Sequence, residues 1–276
     1  MDSLVSNIRN IKIFNSSMFR FEDISFKYEE YLDKLSELDP VKLKAFIMAL
    51  KKREIVNNQE TEMEESFFVE LYQSAKRRDS IEVTMKCLQD GEITKEELKR
   101  IHRMVIKGSA DDLESNYDFR KDNNKWVGSF DTCGGKMVDY YPPEYTEIDE
   151  LLDELLSYLN EKDDLIDNVF LKPLVFHACL AYVQPFGNGN TRLARVIQHG
   201  KICELTNQKH DKSFKYPTLY LSKNYLLQRP SYRGLIKDVS VNKDDEAWNR
   251  WFKFNLNMID EQLFYLGNQL EKYKYI

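Results

Sequence analysis

Residues 184–195 read Gln184-Pro185-Phe186-Gly187-Asn188-Gly189-Asn190-Thr191-Arg192-Leu193-Ala194-Arg195. A Gly-Asn-Gly-Asn run stands directly ahead of a stretch with helical periodicity. Glycine lets the backbone turn through dihedrals other residues avoid, and lets a ligand approach closely. The first turn of a helix leaves N–H groups unpaired, and together with the helix dipole they favour an anion. Successive N–H groups form a nest for a phosphate. Arg192 and Arg195 are three apart, so both project from one side of that turn. Arginine suits bidentate phosphate contacts. The segment therefore predicts a phosphate-binding loop entering a helix. The plainer alternative is a surface glycine turn with two solvated arginines.

Helical periodicity spreads outward from this loop. Residues 191–206 place Leu193, Val196, Ile197 and Ile202 on one side. Residues 164–182 are apolar nearly all round, which predicts a helix buried at the centre of the fold. Pro173 should kink that helix or mark its true start. Residues 94–107 open with Thr94 and Glu97 at capping-box spacing and close on Gly108. Residues 147–160 carry a stripe of Ile148 and five leucines, and 245–275 a packing stripe that includes Trp248 and Trp251. Strand signals are few. The best is 126–141, where two β-prone runs flank Gly134-Gly135 as a hairpin, ended by Pro142-Pro143. A weak boundary is expected in the polar stretch 108–125.

The 276 residues allow a sizeable core, with 42% hydrophobic and 31% charged residues. A net charge of −6 argues against a general nucleic-acid binder, which needs a basic face. Cys87, Cys133, Cys179 and Cys203 lack metal-ligand spacing and read as reduced thiols. Neither a signal peptide nor a membrane-spanning run is visible. The expected setting is the cytoplasm.

Pro185-Phe186-x-x-Gly189-Asn190-x-Arg192-x-x-Arg195 resembles the core motif of the Fic/Doc (Fido) family, His-Pro-Phe-x-Asp/Glu-Gly-Asn-Gly-Arg-x-x-Arg. Similar context surrounds it: Ile101-His102, Tyr117-x-Phe119-Arg120, the hairpin, the leucine-striped helix, Leu219-Tyr220-Leu221-Ser222 and Arg229-x-x-Tyr232. The resemblance spans roughly residues 55–255. It implies a mainly α fold, a Fic-type helical bundle with a short β-hairpin flap. It further implies transfer of AMP from ATP to a protein Ser, Thr or Tyr hydroxyl, with Mg²⁺. In the family the motif His takes the hydroxyl proton, the Asp/Glu holds Mg²⁺, the Gly-Asn-Gly backbone forms the anion hole, and the arginines hold the β/γ-phosphates. Carried onto this chain, nucleotide binding falls to Gly187, Asn188, Gly189, Asn190, Thr191, Arg192 and Arg195. The flap, with Gly128, Ser129, Met137 and Val138, would dock an unidentified target protein by strand addition. A homo-oligomer is left open.

Three positions depart from the pattern. Gln184 replaces the His, and an amide is no base near neutral pH. Loss of a general base typically costs about 10²–10⁴-fold in rate. Asn188 replaces the acidic residue, offering Mg²⁺ an oxygen but no charge. Thr191 replaces the second glycine, where the kinase-like Doc branch has Lys, so it leaves open which phosphate is transferred. His177, His199, His102 and His210 are not expected to supply a base. Many relatives also carry an inhibitory helix whose Glu pairs with the second Arg, and Glu64 is the best candidate here, although an exposed acidic helix face explains it more simply.

The expected organisation is thus an N-terminal helical region over 1–92, with the candidate inhibitory helix near 57–75. A Fic core follows over 93–240 with flap 126–141 and phosphate loop 184–195, then a C-terminal helical region over 241–276. The expected function is an adenylyltransferase scaffold impaired by Gln184. The alternatives are a non-catalytic nucleotide-binding module and a Doc-like protein kinase activity.

Overall fold

The computed structural model describes residues 8–60, 79–89, 92–130, 132–161 and 168–274. Within them the chain is mainly helical. In order come α1 (Asn15–Ser36), α2 (Pro40–Glu60), α3 (Asp79–Gln89), α4 (Lys95–Ile106), α5 (Ile148–Asn160), α6 (Leu171–Val183), α7 (Asn190–His210), α8 (Ser222–Leu227), α9 (Arg229–Asn242) and α10 (Asp245–Lys274). One antiparallel hairpin, β1 (Val127–Phe130) and β2 (Lys136–Tyr140), lies between α4 and α5.

The centre is the pair α6 and α7, which pack against each other across the loop that joins them. Almost every side chain of α6 is buried, as its all-round apolar sequence requires. The helix starts at Leu171, two residues before Pro173, so the proline sits in the first turn where its missing N–H costs nothing. Trp251 of α10 donates its indole N–H to the Leu174 carbonyl at 3.0 Å. This ties the C-terminal helix to the central one.

The remaining helices wrap this pair. α5 lies on α6, α3 on α7 and α4, α9 on α6, and α1 runs along α10. At Gly200 a Cβ would come within 2.9 Å of both Thr84 and Leu88, so the missing side chain lets α3 close on α7. Thr94 caps α4 with the expected reciprocal capping box to Glu97, and Gly108 takes the left-handed φ of 72° after it. Residues 108–125 do not behave as a boundary. They hold a single 3₁₀ turn at Glu114–Asn116 and lie against the loop after α6, with the Arg120 N–H donating to the Pro185 carbonyl at 2.8 Å. Cys87, Cys179 and Cys203 are buried thiols, whereas Cys133 is exposed on the hairpin turn.

Candidate active-site cleft

The loop is built by its own side chains. Gln184 ends α6 in the left-handed region at φ 48°, ψ 57°, which turns the chain out of the helix. Asn190 then braces the turn. Its Nδ2 donates to the Phe186 carbonyl and to Gln184 Oε1, both at 2.9 Å, and its Oδ1 accepts the Phe186 N–H at 3.0 Å. Phe186 is fully buried and stacks on His102, with ring centroids 3.7 Å apart and planes 3° from parallel. His102 Nε2 lies 2.8 Å from the Asn188 carbonyl. A carbonyl only accepts, so this nitrogen carries the proton. Burial pushes the His102 pKa down to about 4, which keeps the ring neutral. Gly189 takes φ 80°, and a Cβ there would lie 2.6 Å from Ile106 and 3.0 Å from His102. Only glycine fits.

Between this loop and the hairpin lies a cleft of about 290 Å³. The loop lines it with Gln184, Asn188, Gly189, Asn190 and Thr191, the hairpin side with Lys125, Gly128 and Tyr140, and α9 with Tyr232 and Ile236. The N-terminus of α7 therefore opens into the cleft, as the sequence predicts for an anion site. In the hairpin Gly128 faces Val138 and Ser129 faces Met137. Gly128 borders the cleft, while Ser129 and Met137 are exposed and Val138 is half-buried.

The two arginines part company. Both are buried, at 4% and 0% exposure, which excludes the solvated alternative. Arg192 is ion-paired with Asp111. Arg195 donates to Asn58 at the end of α2. Among the described residues lining the cleft, neither guanidinium is present. Their side chains meet different partners: half-buried Asp111 for Arg192 and buried Asn58 for Arg195.

Gln184 is 7% exposed. Its Nε2 donates to the Ala181 carbonyl at 2.7 Å and its Oε1 accepts from Asn190, so both ends of the amide are tied. The other histidines hold structural posts. His177 contacts Gln198 through Nδ1 and the Tyr232 hydroxyl through Nε2 at 2.7 Å. His199 Nε2 accepts the Leu221 N–H at 3.0 Å. His210 ends α7. Glu64 falls outside the described residues.

Sequence reading did not assign roles to three residues that complete the site. Arg120 donates to the Gln184 carbonyl at 2.9 Å and to the Pro143 carbonyl, clamping the loop to the end of the hairpin. Asp111 holds Arg192. Lys125 donates from Nζ to the Gly187 carbonyl at 2.5 Å and to Asn188 Oδ1 at 3.4 Å. No periodicity marks these residues, because they lie on irregular backbone.

The residues at position 188 do not fit a divalent metal. Asn188 brings no charge, its side-chain oxygen faces an ammonium, and its carbonyl is taken by His102. Asp139 lines the cleft but pairs with Lys237 at 3.3 Å. Among the described residues, no group of three or more His, Cys, Asp and Glu is placed to hold a metal ion. No helix among them is long and apolar enough to cross a membrane.

The comparisons agree with this geometry. Residues 92–199 match the model of the Fic/DOC family, and that span holds α4, the hairpin, the loop and the first turns of α7. A Fic family protein from Desulfovibrio desulfuricans is similar over 94% of this chain and 76% of its own, with TM-score 0.66 and 16% identity. A Fic domain containing signaling protein from Bacteroides thetaiotaomicron is similar over 92% and 97%, with TM-score 0.63 and 13% identity. Fic-1 from C. elegans is similar over 93% and 73%, with TM-score 0.60 and 14% identity. At such identities the likeness is one of fold. Family model and fold likeness bear on the same segment: residues 92–199 match the Fic/DOC family model within a chain similar in fold to Fic proteins.

Proposed function

We propose that the cleft holds ATP, and that the chain is a Fic-type protein adenylyltransferase scaffold whose transfer step is impaired by Gln184. The observation carrying this reading is the loop itself, braced by Asn190 with the N-terminus of a 21-residue helix opening into the cleft. Such a terminus favours the charge of a phosphate. Preorganised N–H donors stabilise that charge as a phosphoryl group is transferred. The exposed flap strand carrying Met137 would present a protein hydroxyl to the cleft by strand addition. Gln184 stands where that hydroxyl must lose its proton, and its amide accepts none.

A second reading is favoured by the same contacts. Gln184 is tied at both ends and each arginine is engaged with a protein partner. A module that binds nucleotide and transfers nothing has this character.

ATP labelled at the α- or at the γ-phosphate separates the readings. Offered to proteins of a cell extract, the Gln184→His variant should transfer α-label at least about 10²-fold faster than the parent. Transfer of γ-label instead identifies a kinase activity. Binding without transfer by both forms supports the module, and no ATP binding by either form sinks the nucleotide reading.

A further inference from the structure

We propose that Lys125 supplies, from the loop side of a cleft that Arg233 also borders, a cation to the phosphate site, and that the cleft binds nucleotide phosphates without a divalent metal. This rests on the nucleotide reading above and goes one step further, to the form of the ligand. The loop offers a cation three oxygens near the cleft: the carbonyls of Gly187 and Asn188 and the side-chain oxygen of Asn188. Lys125 Nζ holds the first at 2.5 Å and the third at 3.4 Å, and His102 holds the second at 2.8 Å. A divalent ion entering here would have to displace the ammonium from these oxygens. It would also gain no negative charge, since residue 188 is an amide. Magnesium dehydrates reluctantly and ordinarily needs one or two carboxylates besides the ligand's phosphates. An ammonium needs neither, and works as a point charge for phosphate.

The placement also suits the ligand. Lys125 is half-buried and lines the same cleft as Gly189, Asn190 and Thr191. Its ammonium is bonded to Gly187 and Asn188, the residues just ahead of the helix terminus, so a phosphate in the cleft meets positive potential from both. A metal-free nucleotide carries more negative charge than its magnesium complex and gains more from that pair.

Calorimetry on the full chain tests this, with ADP and ATP titrated in EDTA and again in excess Mg²⁺. Binding in EDTA should be at least as tight as in Mg²⁺. Lys125→Ala should weaken the EDTA affinity by about tenfold or more, and Lys125→Arg should restore most of it. Thermal melts matching the parent would show that the variants fold. Binding that tightens about tenfold or more on adding Mg²⁺ overturns the proposal but leaves the nucleotide reading intact, as does an unchanged affinity in Lys125→Ala. No binding of either nucleotide under either condition overturns both.

Discussion

Arg195 donates from Nε to Asn58 Oδ1 at 2.6 Å and from Nη2 to the Asn58 carbonyl at 3.0 Å. A fully buried guanidinium is thus held by a neutral amide at the end of α2. The Tyr232 hydroxyl lies 3.4 Å from Nη1. Buried charge demands such partners, because an unsatisfied one costs the full desolvation penalty.

Asn58→Ala keeps the carbonyl contact and removes the side-chain one, together with two longer contacts, to the Arg192 carbonyl at 3.4 Å and from the Ser222 hydroxyl at 3.5 Å. A hydrogen bond to a charged group is worth about 1.5–3 kcal/mol, and urea unfolding should register a loss of that size. If Arg195 turns to a nucleotide's phosphates on binding, ATP should raise the variant's midpoint more than the parent's. A variant as stable as the parent would show that the contact carries no stability.

Asn190 links both ends of the loop, so its replacement separates bracing from residue size. Asn190→Ala loses three hydrogen bonds, at about 0.5–1.5 kcal/mol each, for a summed cost of about 1.5–4.5 kcal/mol. Asn190→Asp keeps the acceptor for the Phe186 N–H but turns an anion toward the Phe186 carbonyl and Gln184 Oε1. Two acceptors facing a carboxylate repel it, so Asp should be at least as destabilising as Ala. Denaturant midpoints decide the order. An Asp variant close to the parent would mean that the amide donors contribute little.

Much of this was legible in the sequence, and the reason is periodicity. The buried helix read over 164–182 and found at Leu171–Val183, the capping box of Thr94 and the hairpin about Gly134-Gly135 all announce themselves within a short window. So did the turn of the loop into a helix, because glycine and asparagine ahead of a periodic stretch mark one. The partners of the arginines were not legible. Asp111 lies on an irregular segment and Asn58 at the end of a helix with little amphipathic pattern, and both reach the loop from sequence distances of 81 and 137 residues. Lys125 hid for the same reason. A lysine beside a strand usually reads as a solvated edge charge, and only the folded chain brings its ammonium to Gly187 and Asn188.

Gly189→Ala tests whether the loop's path depends on an empty position. A left-handed non-glycine residue costs roughly 1–2 kcal/mol. The new methyl would also overlap Ile106, 2.6 Å away, and crowd His102. Adding Ile106→Ala should recover the overlap part and leave the dihedral part. In a double-mutant cycle the two changes should therefore couple favourably. Strict additivity would place the strain elsewhere.

The neutral His102 makes stability depend on pH in a stated direction. Its folded pKa is depressed to about 4 from the ordinary 6.5, first by burial, with Arg192 and Arg103 also lowering it, against its bond to the Asn188 carbonyl and the nearby Asp111, which raise it. Between those two values the unfolded chain binds a proton and the folded chain does not. Proton uptake then favours unfolding. The contribution is fully present above pH 6.5 and is lost as pH falls toward 4, by on the order of 3 kcal/mol across the window. His102→Gln keeps an N–H within reach of the Asn188 carbonyl and removes the titration. Urea unfolding at about pH 7 and about pH 4.5 should show the parent losing more stability than the variant. Parallel losses would mean that His102 does not set the acid sensitivity, and that the loop's hold on Asn188 survives protonation of the ring beneath it.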